Sequence, residues 1–329
     1  MSIQLVVLGL GKIGTSIGLA LQKHSNEITR IGFDRDPKVA KRANDLHAFD
    51  QIKNDIDQAV VEADIIILAL PIDEIKITLD TIIPFIKPDA VLIDTSPIKL
   101  KIAEYVDQKL PEDRFFVSLY PTINPEYLDV IDNSIENAHH DLFKNSIMVI
   151  TTSSHTNNDS LRLCADLSDY LGAKALFADP YEVDGLLAAT ELLPQLLSAA
   201  FIQSIMNQPG WREARKLTNS SFFSLSRIIT SINEREEFGE SFILNKENLS
   251  RTIKNMIESL QRFNNLLEEE DSPRIRKWVR DSIKKQNQWQ DERNLSEWTN
   301  GESNVHIPTS KEFIKNIFTF GNKNREKKI

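Results

Sequence analysis

The sequence predicts a doubly wound α/β domain built on a mostly parallel sheet, followed by an all-helical domain. Three observations carry that expectation. Six short β-rich runs, IQLVVLG, ITRIGFD, ADIIILAL, AVLIDTS, RFFVSLY and SIMVITT, alternate with amphipathic stretches through the first half, and strands alternating with helices at this spacing build βαβ units. A Gly9-x-Gly11-x-x-Gly14 pattern follows the first run directly and opens a helical period. After FADPYEV the alternation stops, and from about Asp184 to Leu267 the chain reads almost wholly as helix.

Taken in order, IQLVVLG ends on the glycine turn, and GTSIGLALQKH is the first amphipathic helix. ITRIGFD closes on Asp34, and PKVAKRANDL carries the chain to the next unit. ADIIILAL brings Leu70 and Pro71 to its carboxyl end, AVLIDTS brings Asp94, Thr95 and Ser96, and RFFVSLY brings Tyr120. NDSLRLCADLSDYLGA is one more helix, stopped near Gly172. GLLAATELLPQLLSAAFIQSIM is too apolar for a solvated surface helix, so it belongs in a domain core or a dimer interface. From Glu268 the chain is highly charged and carries Trp278, Trp289 and Trp298, with helices expected to pack on the body or on a partner. The GNKNREKKI end is expected to be a disordered basic tail. The expected division is a dinucleotide-binding domain over 1–178, a helical substrate and dimerisation domain over 179–267, and a charged extension over 268–329.

Composition narrows the function classes. With 39 basic and 48 acidic residues the net charge is −9, which disfavours nucleic acid as a partner. The single cysteine, Cys164, excludes an intrachain disulfide and a multi-cysteine metal site. No apolar run approaches the ~18 residues of a membrane span, and the N-terminus lacks a secretory n-region. A cytoplasmic protein without membrane contact is expected.

Each glycine of the turn has a steric reason. Gly9 permits the tight turn, Gly11 lets backbone approach a pyrophosphate, and Gly14 lets the helix sit close to the strand. The phosphates then meet the N–H groups of the helix start, at Lys12 and Ile13. Asp34 lies 20 residues after Gly14, where a carboxylate accepts from an adenosine ribose. This is the pattern of a Rossmann domain that binds NAD, with NADP left open by Arg35, which can hold a 2′-phosphate. Leu70, Pro71 and Thr95, at the carboxyl ends of their strands, are assigned to the same cofactor site, although a plain proline turn explains Pro71 as well.

Beyond these signals, residues 4–267 resemble the prephenate and arogenate dehydrogenase family. DTSPIK, Asp94 to Lys99, is similar to the family's Asp-x-Gly-Ser-x-Lys segment, and YPTIN stands where the family reads His-Pro-Met-Ala-Gly. DLFKNSIMVITT resembles the family's Asp-Leu-Phe turn and following strand. LGAKALFADPYEVDGLLAATELLPQLLSAA runs without gaps along a stretch that normally holds Asp-x-x-x-His-Asp and Ser-His-Leu-Pro-His, and SFFSLSRII resembles the segment bearing the substrate-carboxylate arginine. The resemblance implies homodimers formed through the helical domain and a small anionic substrate. It also implies a reaction in which a histidine takes the ring-hydroxyl proton as hydride leaves and carbon dioxide is lost.

The chemistry is where this chain departs. Tyr120 replaces that histidine, Val183, Leu192 and Gln195 replace three others, Glu191 replaces the serine of the Leu-Pro segment, and Pro97 replaces a serine beside Ser96; Arg227 and Lys99 are kept. Tyr120 is either a phenol whose pKa is lowered by Lys99 or the nicotinamide, or an aromatic plug. Thr122 and Asn124 line the same mouth or simply build the turn. Arg227, within a helix, forks onto a substrate carboxylate or forms a surface salt bridge. Lys99 orients Asp94, contacts the cofactor, or is a solvated helix lysine. Glu191, in an apolar helix, is the candidate replacement acid or base, against a satisfied structural glutamate. His139 and His140 are expected as exposed loop residues. The leading reading is an NAD(P)-linked dehydrogenase of this family. The alternatives are hydride transfer with another small hydroxy acid or imine, and a catalytically silent NAD-binding protein.

Overall fold

The structure, a computed structural model, describes residues 2–231 and 239–296. The expectations for Trp298 and for the GNKNREKKI end lie outside the described residues. Eight strands form one sheet: β1 (Ile3–Leu8), β2 (Ile28–Phe33), β3 (Gln51–Ile52), β4 (Ile65–Leu68), β5 (Val91–Asp94), β6 (Phe115–Pro121), β7 (Ile147–Thr151) and β8 (Lys174–Phe177). Their order is β3-β2-β1-β4-β5-β6-β7-β8, parallel throughout except where β6 meets β7. The helices on its faces are α1 (Lys12–Ala20), α2 (Pro37–Asp45), α3 (Ile56–Val60), α4 (Ile72–Ile82), α5 (Leu100–Lys109) and α6 (Asn158–Tyr170).

Burial on both faces explains why the strands read as continuous apolar runs. Leu5, Val7, Ile65, Ile67 and Ile93 enter one layer, and Val6, Leu8, Ile66, Leu68 and Leu92 enter the other. The sequence reading did not anticipate β3, only two residues long, or β8, whose KALF follows a helix after a three-residue break. Within that break Gly172 lies at φ +83, where a left-handed residue ends α6.

The helical part comprises α7 (Pro180–Leu187), α8 (Leu193–Met206), α9 (Trp211–Ala214), α10 (Ser220–Ser226), α11 (Glu240–Leu244), α12 (Lys246–Glu268) and α13 (Ser272–Leu295). A π turn at Ala188–Leu192 joins α7 to α8, with the Leu193 N–H bonded to the Ala188 carbonyl. Pro194 has no N–H to give, and the widened turn precedes it directly. The result is one helix, Pro180–Met206, of 27 residues, with a window of mean hydropathy 1.5 that is long and apolar enough to cross a membrane. This corrects the expectation that no such run exists. Only 22% of that window is buried within the chain, so the helix is not a core helix of this subunit; the interface alternative is the one that stays open.

The charged extension packs on the body of its own chain. α13 runs back along α12, with the Phe263 and Trp278 rings 5.8 Å apart. At its far end Arg293 donates to the Ile123 carbonyl, and the Ser296 hydroxyl donates to the Asn145 carbonyl at 2.7 Å.

Candidate active site

The glycine turn has the geometry its spacing implies. Gly9 lies at φ +91, and a Cβ there would fall 2.4 Å from the Ala69 carbonyl oxygen; at Gly14 it would fall 1.9 Å from the Gly9 oxygen. Leu70 packs onto Gly9, and Pro71 caps the start of α4. Asp34 follows β2 and accepts from the Leu10 and Asp36 amides, each at 2.8 Å, which fixes its carboxylate beside the turn. Arg35 reaches across to Glu74 in the first turn of α4, 3.1 Å away. Thr95 donates its hydroxyl to the Leu68 carbonyl at 2.9 Å, so that proton is committed to joining β4 to β5. These residues fit a dinucleotide: the glycines leave no side chain over the turn, and Gly11 caps α1 with only the Asn133 oxygen, at 3.4 Å, near where a Cβ would stand.

Tyr120, near the end of β6, donates its phenol proton to Glu191 Oε2 at 3.3 Å, and Gln195 Nε2 donates to Glu191 Oε1 at 3.0 Å. Glu191 and Gln195 stand four apart and share one helix face. The π turn contains Glu191, and such turns alter the direction in which a helix presents its side chains, often at functional sites. Burial pushes the Glu191 carboxyl up, partly opposed by the hydrogen bonds from Tyr120 and Gln195. Burial, and then the adjoining Glu191 carboxylate, raise the Tyr120 phenol well above its ordinary value. This overturns the expectation of a phenol acidified by Lys99. The Lys99 ammonium does lie 5.9 Å from the Tyr120 ring centre, but its charge faces Asp94.

Lys99 is fully buried, not the solvated helix lysine that was one alternative. Its Nζ lies 3.4 Å from both Asp94 Oδ2 and the Leu119 carbonyl, and burial pushes the ammonium below its usual value against the pull of Asp94. Ser96 and Ser118 donate to the same Asp94 oxygen at 2.9 and 3.0 Å. Ser96, 3% exposed, therefore supports Asp94 from inside. Asp184 of α7 accepts the Lys99 and Leu100 amides at 2.7 and 3.1 Å. A carboxylate from the helical part thus caps α5 of the sheet domain. Behind it, Asn245 donates to the Asp184 carbonyl and Asn248 to Asn245, both at 2.8 Å.

Arg227 ends α10 and is tied to the same face of α8, because Ser198 Oγ donates to the Leu225 and Ser226 carbonyls at 2.8 and 3.0 Å. Its Nη2 donates to the Asp129 carbonyl at 2.9 Å, while its buried Nε has no hydrogen-bond partner among the described residues. Among those residues it makes no salt bridge. Thr122 bonds both ways with Ile147, and Asn124, 3% exposed, caps the following turn, so both build the loop and neither lines the mouth. His139 stacks on Tyr127 with ring centres 4.3 Å apart, so of this pair His140 alone is freely exposed. Among the described residues no group of three or more His, Cys, Asp or Glu is placed to hold a metal.

Residues 17–177 match the model of the prephenate dehydrogenase nucleotide-binding domain, and residues 179–281 match that of the prephenate dehydrogenase dimerization domain. The chain belongs to the prephenate dehydrogenase family. Among curated relatives, the cyclohexadienyl dehydrogenase of Zymomonas mobilis is 26% identical over 198 residues, 60% of this chain. The chain spans 66% of that relative's length. The prephenate dehydrogenase of Bacillus subtilis is 22% identical over 82% of this chain and 72% of its own. Two solved structures share the fold. Synechocystis arogenate dehydrogenase has a TM-score of 0.68 at 24% identity, covering 87% of this chain and all of its own. The Aquifex aeolicus prephenate dehydrogenase in complex with hydroxyphenyl propionate and NAD+ has a TM-score of 0.75 at 18% identity, covering 88% of this chain and 98% of its own.

Within this prephenate dehydrogenase family member, the glycine turn precedes the matched stretch, so its assignment rests on its own geometry. Sequence reasoning missed Ser118, Ser198 and Arg293. Serine inside a β-rich or apolar helical run was the available signal for the first two, because a buried hydroxyl needs a partner. Arg293 is one of many charged residues in its helix and carried no such signal. Leu192 and Val183, at former histidine positions, are buried, and Leu192 packs with Ile98 and Leu249.

Proposed function

We propose that this chain is an NAD-dependent dehydrogenase of the prephenate/arogenate type, acting on an anionic cyclohexadienyl substrate by oxidative decarboxylation. The observation that carries this is the Tyr120–Glu191 hydrogen bond, which supplies a proton path where the family histidine is absent. Tyr120 stays protonated because burial raises it. It therefore acts as a relay: its oxygen receives the ring-hydroxyl proton while its own proton passes to Glu191 Oε2. Glu191, raised in turn, is a stronger base than an ordinary carboxylate. Gln195 holds the other carboxylate oxygen and so fixes the direction of transfer. The nicotinamide, when bound, supplies the hydride acceptor. Arg227 receives the substrate carboxylate through its fork of N–H donors.

NAD is preferred over NADP on this reading, because Arg35 is engaged by Glu74, whose carboxylate also repels a 2′-phosphate. The working unit is a cytoplasmic homodimer. Supporting this, Leu217, Phe223 and Ile243 are 82%, 61% and 66% exposed on the isolated chain, within the stretch that matches the dimerization domain. The test is formation of reduced nicotinamide on mixing purified protein with prephenate or arogenate and NAD or NADP in turn. Turnover that is lost in Arg227→Ala and Tyr120→Phe supports the assignment. If no combination is reduced by protein that binds NAD, the assignment is wrong and a silent binder or a different substrate remains.

A further inference from the structure

The segment from Asp129 to Asn133 lies across both halves of the proposed site. The Asn133 carbonyl accepts the Lys12 amide at 3.1 Å, and the Val130 carbonyl accepts Lys12 Nζ, also at 3.1 Å. The Asp129 carbonyl accepts Arg227 Nη2 at 2.9 Å. Lys12 is consequently only 4% exposed, although it stands at the first turn of the glycine-loop helix, where a dinucleotide phosphate finds its donors. Neighbouring contacts fasten the segment. Asp132 accepts from Ser134 and Asn137, the His139 amide donates to Ser16 Oγ at 3.0 Å, and Arg42 forks onto Glu136 at 3.1 and 2.9 Å.

We propose that residues 129–133 form a strap whose own peptide carbonyls occupy the donors of the cofactor-phosphate and substrate-carboxylate sites, so that dinucleotide and acidic substrate bind cooperatively. The inference rests on the NAD-linked reading above. The Lys12 amide has one hydrogen, and a carbonyl and a phosphate oxygen cannot both take it in line. Phosphate binding must therefore lift Asn133, and lifting it also frees the Lys12 ammonium from Val130 to face the phosphates. A substrate carboxylate that takes the open Nε edge of Arg227 draws Nη2 from Asp129, four residues along the same strap. Each ligand removes part of the restraint that opposes the other, and the coupling is reciprocal.

The experiment is stopped-flow and equilibrium fluorescence of NADH binding to the full chain, with hydroxyphenyl propionate as the carboxylate probe. For the wild type, the observed binding rate is expected to level off as NADH rises, because strap opening becomes limiting. Arg42→Ala and Glu136→Ala, both at an exposed ion pair away from the chemistry, are each expected to tighten NADH about 2- to 5-fold, the range of one such pair. Hydroxyphenyl propionate tightens NADH in the wild type, and Arg227→Ala loses that effect. Rates linear in NADH, with affinities unchanged in both clasp variants, would overturn the strap while leaving NAD binding intact. Absence of NADH binding to wild type and both clasp variants would overturn the strap and the NAD reading together.

Discussion

Replacing Glu191 by glutamine isolates the proton path with the least disturbance. Glutamine keeps the shape of the side chain and can still pair with Gln195 or Tyr120, but it cannot take a proton. If Tyr120 relays to Glu191 across 3.3 Å, Glu191→Gln removes the terminal base, and a positioned base is worth about 10²–10⁴ in rate. kcat should fall by that factor with KM nearly unchanged, because Arg227 and the glycine turn are untouched. The pH profile gives the sharper readout. Burial raises the Glu191 pKa, so wild-type kcat should climb with pH along a limb centred above the ordinary glutamate value of ~4.3, and the variant should lack that limb. The stability sign runs the other way. A carboxyl whose folded pKa is raised loses stabilisation as pH climbs from its unfolded value through its folded one, so at neutral pH the glutamine variant should melt no lower than the wild type. Steady-state kinetics across pH together with a thermal melt make the check. Wild-type kcat and an unchanged acid limb in Glu191→Gln would refute the relay.

Asp184→Ala leaves the Lys99 and Leu100 amides without their acceptor, an expected loss of about 1–3 kcal/mol for a buried unpaired group; denaturant titration reads it, and Asp184→Asn should recover part. Gly14→Ala drives a Cβ to 1.9 Å from the Gly9 oxygen, so NADH binding should be lost alongside about 1–3 kcal/mol of stability from overpacking. Arg293→Ala should release the end of α13 from the loop after Tyr120, seen as faster proteolysis near the C-terminal end of α13 and a lower melting temperature.

How far these features can be read from sequence depends on whether the cause is local. Gly9, Gly11, Gly14 and Asp34 are legible because backbone sterics and strand-end chemistry dictate them within a few residues. The parallel strands are legible because burial on both faces leaves runs such as ADIIILAL. For Lys99 the sequence left three readings open, orienting Asp94, contacting the cofactor or standing in solvent, because its surroundings, Asp94, Leu119 and Asp184, converge only when β5, β6 and α7 meet. Lowering of the Tyr120 phenol by Lys99, one of the alternatives, is not what the fold produces, for the same reason. Lys99 is near in sequence terms, but Glu191, 71 positions away, is what the phenol bonds. The strap was invisible because its contacts are made by carbonyls, which no side chain announces.

At the four positions where the family resemblance implies histidines, the partners of the residues present bear on whether the site is decayed or retuned. A decaying site accumulates substitutions independently, and polar groups left behind in a buried pocket go unpaired at a cost of about 1–3 kcal/mol each. Here Tyr120 and Gln195, at two former histidine positions, both bond the same new carboxylate, Glu191, one on each oxygen. The other two positions, Val183 and Leu192, are apolar and buried at 2% and 1% exposure, so they strand no donor. Introducing Glu191 alone would bury a bare carboxylate in an apolar helix, and introducing Tyr120 alone would leave a phenol without an acceptor. The three side chains thus satisfy one another, which is the arrangement that the proposed Tyr120–Glu191 proton path requires. A cycle of Tyr120→His, Glu191→Ser and the double variant tests it. Coupled retuning predicts that each single change lowers turnover more than the double does, whereas independent decay predicts that the losses add.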